Sequence, residues 1–215
     1  LKGITFDRPL KIGAWLTVEL EQKSNGDGAT VALTLMTADG RPRYAAVAEL
    51  GSERAASHWH AETTDGANGG AEERRAAPYG GVLFHGPSLQ VLEQIDALAE
   101  TGARARLRTN GLRMRGFAVD TGLLDGALQL ALLWTEERLG GASLPTAIGR
   151  IEFHHLGPVD APAIAELRAR EGTADRRGVC DVHLRRSDGL PVLTLRGVET
   201  HLLPSPAPRA RAPRP

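Results

Sequence analysis

Asp125 and Gln129 are the only polar side chains between Leu123 and Trp134. Four residues apart in a helix, they share a face and can touch. A carboxyl in such apolar surroundings is costly unless hydrogen-bonded or used, because desolvation disfavours the anion and favours the proton-donating acid. A carboxyl and a carboxamide in contact suit general acid–base work, with the amide orienting the acid. Other candidates carry less. His85, before Pro87, either meets a ligand or packs in a turn. His58-Trp59-His60 has a metal-binding spacing but no Cys or acidic partner, so a surface position is expected. His154 and His155 point to opposite sides of a strand, so at most one faces inward. Cys180 in Val179-Cys-Asp-Val-His-Leu184 reads as core, as do Tyr79 and Trp134. Arg104, Arg106 and Arg108 alternate along a strand and read as a solvated face.

The element that must position Asp125 is a helix from Asp120 or Thr121 to about Leu139, apolar on nearly every side and therefore wrapped by other structure. Asp120 is its expected N-cap, and Gly140-Gly141 stop it. Ahead of it, residues 3–50 read as an antiparallel meander: Ile4 to Arg8, Trp15 to Glu21, Thr30 to Met36 and Arg43 to Leu50, with turns at Asn25-Gly-Asp-Gly28 and Ala38-Asp-Gly40. Residues 51–78, rich in Ala, Gly and Glu, are expected to form a long connection. Leu89 to Ala99 reads as a short helix or a strand, and Ala103 to Arg108 as a half-exposed strand. Strands are expected at Thr146 to His155, Ala161 to Arg170, Gly178 to Arg186 and Pro191 to Leu202. One long buried helix with at least five antiparallel strands points to the α+β class and a sheet curled around the helix, the hot-dog arrangement.

The chain of 215 residues has 26 basic and 26 acidic side chains, so its overall charge gives no reason to expect a nucleic-acid partner. Glu136, Glu137 and Arg138 end the apolar run too early to span a bilayer. The single cysteine excludes an internal disulfide and fits a reducing cytosol. No metal, nucleotide or paired-cysteine motif occurs. The sequence opens at Leu1 inside a strand region, which fits an excised domain or a truncated reading frame, and from Pro204 it closes on a Pro/Ala/Arg stretch that reads as a disordered linker to further protein or as a short basic tail.

Four segments, in order, resemble the dehydratase domains of polyketide synthases and polyunsaturated fatty acid synthases. Leu1-Lys-Gly-Ile-Thr-Phe-Asp-Arg-Pro-Leu10 resembles a late strand of the family's first hot-dog. Phe84-His-Gly-Pro-Ser-Leu-Gln90 resembles its Tyr-Gly-Pro-x-Phe element, with His85 where Tyr is usual. Asp120-Thr-Gly-Leu-Leu-Asp-Gly-Ala-Leu-Gln129 resembles its Asp-x-x-x-Gln/His helix, and Ser143-Leu-Pro-Thr-Ala-Ile-Gly-Arg150 the strand that follows. The resemblance implies a double hot-dog: residues 1–50 the last strands of the first unit, 79–203 the second. It implies elimination of water from a β-hydroxyacyl chain on the phosphopantetheine of an acyl carrier protein, with no other cofactor and no metal. Asp125 then handles the departing hydroxyl, Gln129 orients it, and His85 and Gly86 contact substrate. The implied partners are the acyl carrier protein, neighbouring synthase domains and a second copy in a homodimer, with neither nucleic acid nor membrane, in the cytoplasm.

The family's base lies in a His-x-x-x-Gly-x-x-x-x-Pro motif, and none of the seven histidines satisfies even His-x-x-x-Gly. Either the motif lies upstream of Leu1 or the domain is a catalytically inert scaffold or acyl-binding module. On both accounts these residues alone do not dehydrate. A hot-dog thioesterase is a third reading, since one fold hosts several reactions.

Overall fold

The computed structural model describes residues 2–6, 16–25, 28–51, 75–76, 79–108 and 117–204. Most of the expected 51–78 connection, including His58 and His60, and the tail beyond Pro204 lie outside them. The described residues build one α-helix, α1 (Thr121–Leu139), and eleven strands. These are β1 (Lys2–Phe6), β2 (Leu16–Asn25), β3 (Gly28–Thr37), β4 (Pro42–Leu50), β5 (Arg75–Ala76) and β6 (Leu92–Ala99). Then come β7 (Gly102–Leu107), β8 (Ser143–Phe153), β9 (Ala163–Ala169), β10 (Arg177–Arg186) and β11 (Pro191–Leu202). They join in one antiparallel sheet of order β2-β3-β4-β1-β8-β11-β10-β9-β7-β6-β5. The fold is α+β, with an antiparallel sheet and one central helix.

Helix α1 packs on strands β6 to β11. Residues directly opposite in an antiparallel pair share a face, so Ala105, Ala165, Leu184, Leu193 and Phe153 form one row across β7, β9, β10, β11 and β8. With Ala103, Leu107, Leu167, Val182 and Leu195 they meet Leu123, Ala127, Leu130 and Trp134 in a single core. The other sheet face carries charge. There Arg104 and Arg185 both pair with Glu166, and Arg196 and Arg150 with Glu152. Arg106 pairs with Asp96, whereas Arg108 lies past the strand and donates to the Gln90 carbonyl. Arg104 and Arg106 thus lie on a charged face, and Arg108 is exposed just past the strand end.

The helix ends follow from local chemistry. Asp120 accepts the Leu123 N–H at 3.0 Å through Oδ1, and the Val159 N–H at 3.2 Å through Oδ2, tying the cap to the segment after β8. Gly140 closes the helix at φ 73°, a left-handed conformation that glycine adopts without a Cβ clash. Of the two readings of Leu89 to Ala99, helix or strand, the structure has the strand: a 3-10 turn, Pro87–Leu89, leads into β6. One sequence expectation changes. His154 and His155 lie just past β8, because both backbone N–H groups turn back to the Val192 carbonyl and end the strand alternation. His154 Nε2 then reaches Thr194 Oγ1 at 2.9 Å, a structural contact.

Candidate active site

Asp125 lies in the second turn of α1, one residue before Gly126. A Cβ at Gly126 would stand 2.5 Å from a Leu107 methyl and 2.7 Å from a Val91 methyl. Glycine therefore lets the strand layer close directly against the helix beside the carboxyl. Gln129, one turn on, is fully buried and satisfies both ends of its amide. Its Nε2 donates to Asp125 Oδ2 at 2.6 Å and to the Leu89 carbonyl at 2.7 Å. Its Oε1 accepts the Tyr79 hydroxyl at 2.7 Å, and that hydroxyl in turn accepts the Leu92 N–H at 2.8 Å.

The segment before β6 supplies the other wall. His85 Nε2 lies 3.5 Å from Asp125 Oδ2, with the imidazole 10% exposed and the carboxyl 31% exposed. Phe84 stacks on the imidazole at 4.9 Å between centroids, and Gln90 Nε2 holds the His85 carbonyl at 3.1 Å. His85 Nδ1 is buried and without a hydrogen-bond partner among the described residues. Gly86 precedes the 3-10 turn, where its carbonyl accepts the Leu89 N–H at 2.9 Å. That turn aims the Leu89 carbonyl at Gln129.

The residues singled out in the sequence thus fall in two groups. Asp125, Gln129, His85 and Gly86 come together. His154, Cys180 and Trp134 do not join them: Trp134 Nε1 donates to the Glu100 carbonyl, and burial pushes the Cys180 thiol up, away from thiolate chemistry. Asp125 is less buried than an all-round apolar helix implies, because the layer over its turn is the 84–90 segment rather than a strand. For Tyr79 the sequence predicts packing and no more. It is a partly buried amphipathic side chain whose hydroxyl needs a partner, the one signal that points towards its place in the site. Its ionisation is pushed up by burial and by the Asp125 charge, against the opposing Leu92 N–H and Arg108, which keeps the phenol a donor. No cluster of His, Cys, Asp and Glu suited to a metal occurs among the described residues. None of the described helices is long and apolar enough to cross a membrane.

Chemically, the site presents a part-exposed carboxyl with one oxygen held by an amide, next to an imidazole. Such a group is placed to pass a proton to or from an oxygen of a bound molecule.

Comparison with known proteins gives this arrangement a family. The chain is 25% identical over 197 residues to one of the polyunsaturated fatty acid synthase polypeptides of Thraustochytrium sp., covering 87% of this chain and 7% of that protein. The chain therefore spans only a small part of the curated relative it matches. Among solved structures it resembles a dehydratase domain of a trans-AT polyketide synthase from Brevibacillus brevis, with a TM-score of 0.70 and 18% identity over 94% of this chain and 75% of that one. It also resembles the dehydratase domain of PpsC from Mycobacterium tuberculosis in complex with C12:1-CoA, with a TM-score of 0.64 and 18% identity over 94% and 74% of the two chains. These likenesses establish the fold. The family model for the polyketide synthase dehydratase N-terminal domain matches residues 69–210, which hold α1, Asp125 and every strand the helix packs on. By that match the chain belongs to the polyketide synthase dehydratase family.

Proposed function

We propose that the chain is part of a dehydratase domain of a multidomain polyketide or fatty acid synthase, acting on a β-hydroxyacyl chain carried by an acyl carrier protein. In this reading a base removes the α-proton, the Cα=Cβ double bond forms, and the Cβ–O bond breaks. The hydroxyl leaves as water with a proton from Asp125. Gln129 orients the carboxyl and stabilises the carboxylate left behind, and His85 and Gly86 line the path of the acyl chain. The observation that carries the reading is Asp125 beside His85, with Oδ2 held by a fully buried Gln129. The acyl-CoA bound to the PpsC dehydratase supports an acyl thioester as ligand.

The base is proposed to be a His of a neighbouring hot-dog, and α1 the helix of the second of two such units. The register supports this. Val18, Leu20, Leu33, Leu35, Tyr44 and Ala46 share one face of β2, β3 and β4, and Ala46 packs against the α1 core. This apolar half-sheet lies on the helix side of the same sheet and precedes the residues matched by the family model. It suits a second helix parallel in role to α1. These residues alone are then half of a two-part site, inactive without the other unit. Cytoplasmic location and the carrier protein as partner follow from the same reading.

The test is an assay of β-hydroxyacyl-carrier dehydration by a polypeptide extended roughly sixty residues upstream of Leu1, a length set by typical strand and helix sizes. Asp125→Asn should lower kcat by about 10²–10⁴-fold, the usual worth of a positioned acid. Wild-type rate in that variant overturns the assignment. A second reading, an inert acyl-binding scaffold, is favoured by the absence of His-x-x-x-Gly from the sequence. A His-x-x-x-Gly-x-x-x-x-Pro motif in the upstream residues, with activity, removes it.

A further inference from the structure

The two oxygens of Asp125 are not equivalent, and the reason begins 46 residues earlier, at Tyr79. A backbone N–H only donates, so the Leu92 N–H fixes Tyr79 Oη as its acceptor. The single phenolic proton is then free for Gln129 Oε1, which only accepts. At the far end the Leu89 carbonyl likewise only accepts, so it requires the Nε2 side of the amide. Backbone groups of opposite polarity thus sit at the two ends, and every bond between them runs one way. The second Nε2 hydrogen is directed at Asp125 Oδ2. His85 Nε2 approaches the same oxygen. Oδ1 makes no hydrogen bond among the described residues, and the carboxyl is part-exposed.

We propose that Tyr79 is a positioning residue of this site: through Gln129 it directs a one-way hydrogen-bond chain that occupies Oδ2 of Asp125 and leaves Oδ1 as the oxygen carrying the transferable proton. The direction of the chain stands on geometry alone, while the identity of the proton's acceptor, the departing β-hydroxyl, rests on the dehydratase reading. In that step the Oδ1–H bond breaks as the Cβ–O bond does, the proton leaves in the water formed, and the carboxylate keeps the Gln129 N–H on Oδ2. Loss of the Tyr79 hydroxyl strands Oε1 of a fully buried amide and the Leu92 N–H together, and frees the amide to reorient.

The test pairs a structural readout with a kinetic one. In the 215-residue chain labelled with 15N-glutamine, both Gln129 side-chain amide protons should exchange slowly with solvent. Tyr79→Phe should speed that exchange at least about tenfold while the backbone spectrum stays folded, each tenfold step matching the loss of one modest hydrogen bond. Unchanged exchange overturns the proposal. In the extended polypeptide, Tyr79→Phe should lower kcat by up to about 10²-fold, the scale of a misplaced catalytic group, with KM held within about twofold. A rise in KM alone, with kcat kept, also overturns it. Should Tyr79→Phe fail to fold, the wild-type chain decides through a slowly exchanging Tyr79 hydroxyl proton that shows a cross-peak to the Gln129 amide; its absence is fatal to the proposal. If the wild-type extended polypeptide dehydrates nothing, the dehydratase reading falls, and the amide exchange still judges Tyr79.

Discussion

Burying a polar atom is costly unless it finds a partner, and Gln129 and His183 meet that demand differently. Gln129 does so through Asp125, Tyr79 and Leu89, and so becomes part of the site. His183, 4% exposed, shares Thr194 Oγ1 with His154, at 3.0 and 2.9 Å. Burial first, then the neighbouring His154, lowers the His183 pKa from 6.5 to about 4; Glu166 opposes this, while Arg185 and Arg168 add to it. Above 6.5 the ring is neutral in both folded and unfolded chains, and full stability is present. Between 6.5 and about 4 the unfolded chain takes up the proton and the folded one resists, so stability falls with pH. Denaturant titrations between pH 7 and pH 4 should lose roughly 3 kcal/mol through this residue, and His183→Gln should flatten that part of the profile. A wild-type profile matching the variant's would rule out this origin. At this scale the sequence exposes Asp125 and Gln129 because their contact is local, four residues along one helix. Tyr79 and the approach of His85 to Asp125 stay hidden because they depend on how the 79–90 segment folds over the helix, which no periodicity encodes.

Among the elements, α1 is the most legible, since cap, stop and apolar run all fall within about twenty consecutive residues. Strand β6 is the least. Leu92, Ile95 and Leu98 recur every three residues, as on a helix face, yet all turn to the core from a strand. The register with β7 shifts between Leu92 and Gln94 and again between Ile95 and Ala97. Each irregularity inserts a residue into the two-residue alternation, so a strand acquires a helix-like spacing. The same strand layer meets α1 at Gly126, where the approach leaves no room for a side chain. Gly126→Ala should force Leu107 and Val91 outward and cost about 1–3 kcal/mol by overpacking, outweighing the higher helix propensity of alanine. Chemical denaturation measures this directly. A stabilised Gly126→Ala variant would mean that the helix and strand layer are looser beside Asp125 than the structure has them.

Across the whole molecule, one face of the sheet is only half covered. Over β6 to β11 it is packed by α1, while over β2 to β4 the same face presents Val18 and Leu20 at 57% and 64% exposure. Family membership explains the filled half. The apolar register of the other half is visible in the sequence as alternation, and the proposed two-unit reading gives it a cover. If that cover is the helix of a first hot-dog, an aspartate at Leu20 has different consequences in two contexts. In the 215-residue chain Leu20→Asp replaces a largely exposed leucine and should shift stability by no more than about 0.5 kcal/mol. In the polypeptide extended upstream of Leu1 it would bury an unpaired carboxylate between sheet and helix, costing about 3 kcal/mol or more. Denaturation midpoints of the two pairs of proteins decide it. Equal shifts in both would leave the half-sheet without a second helix, and the base would then have to come from somewhere other than a neighbouring hot-dog on this sheet.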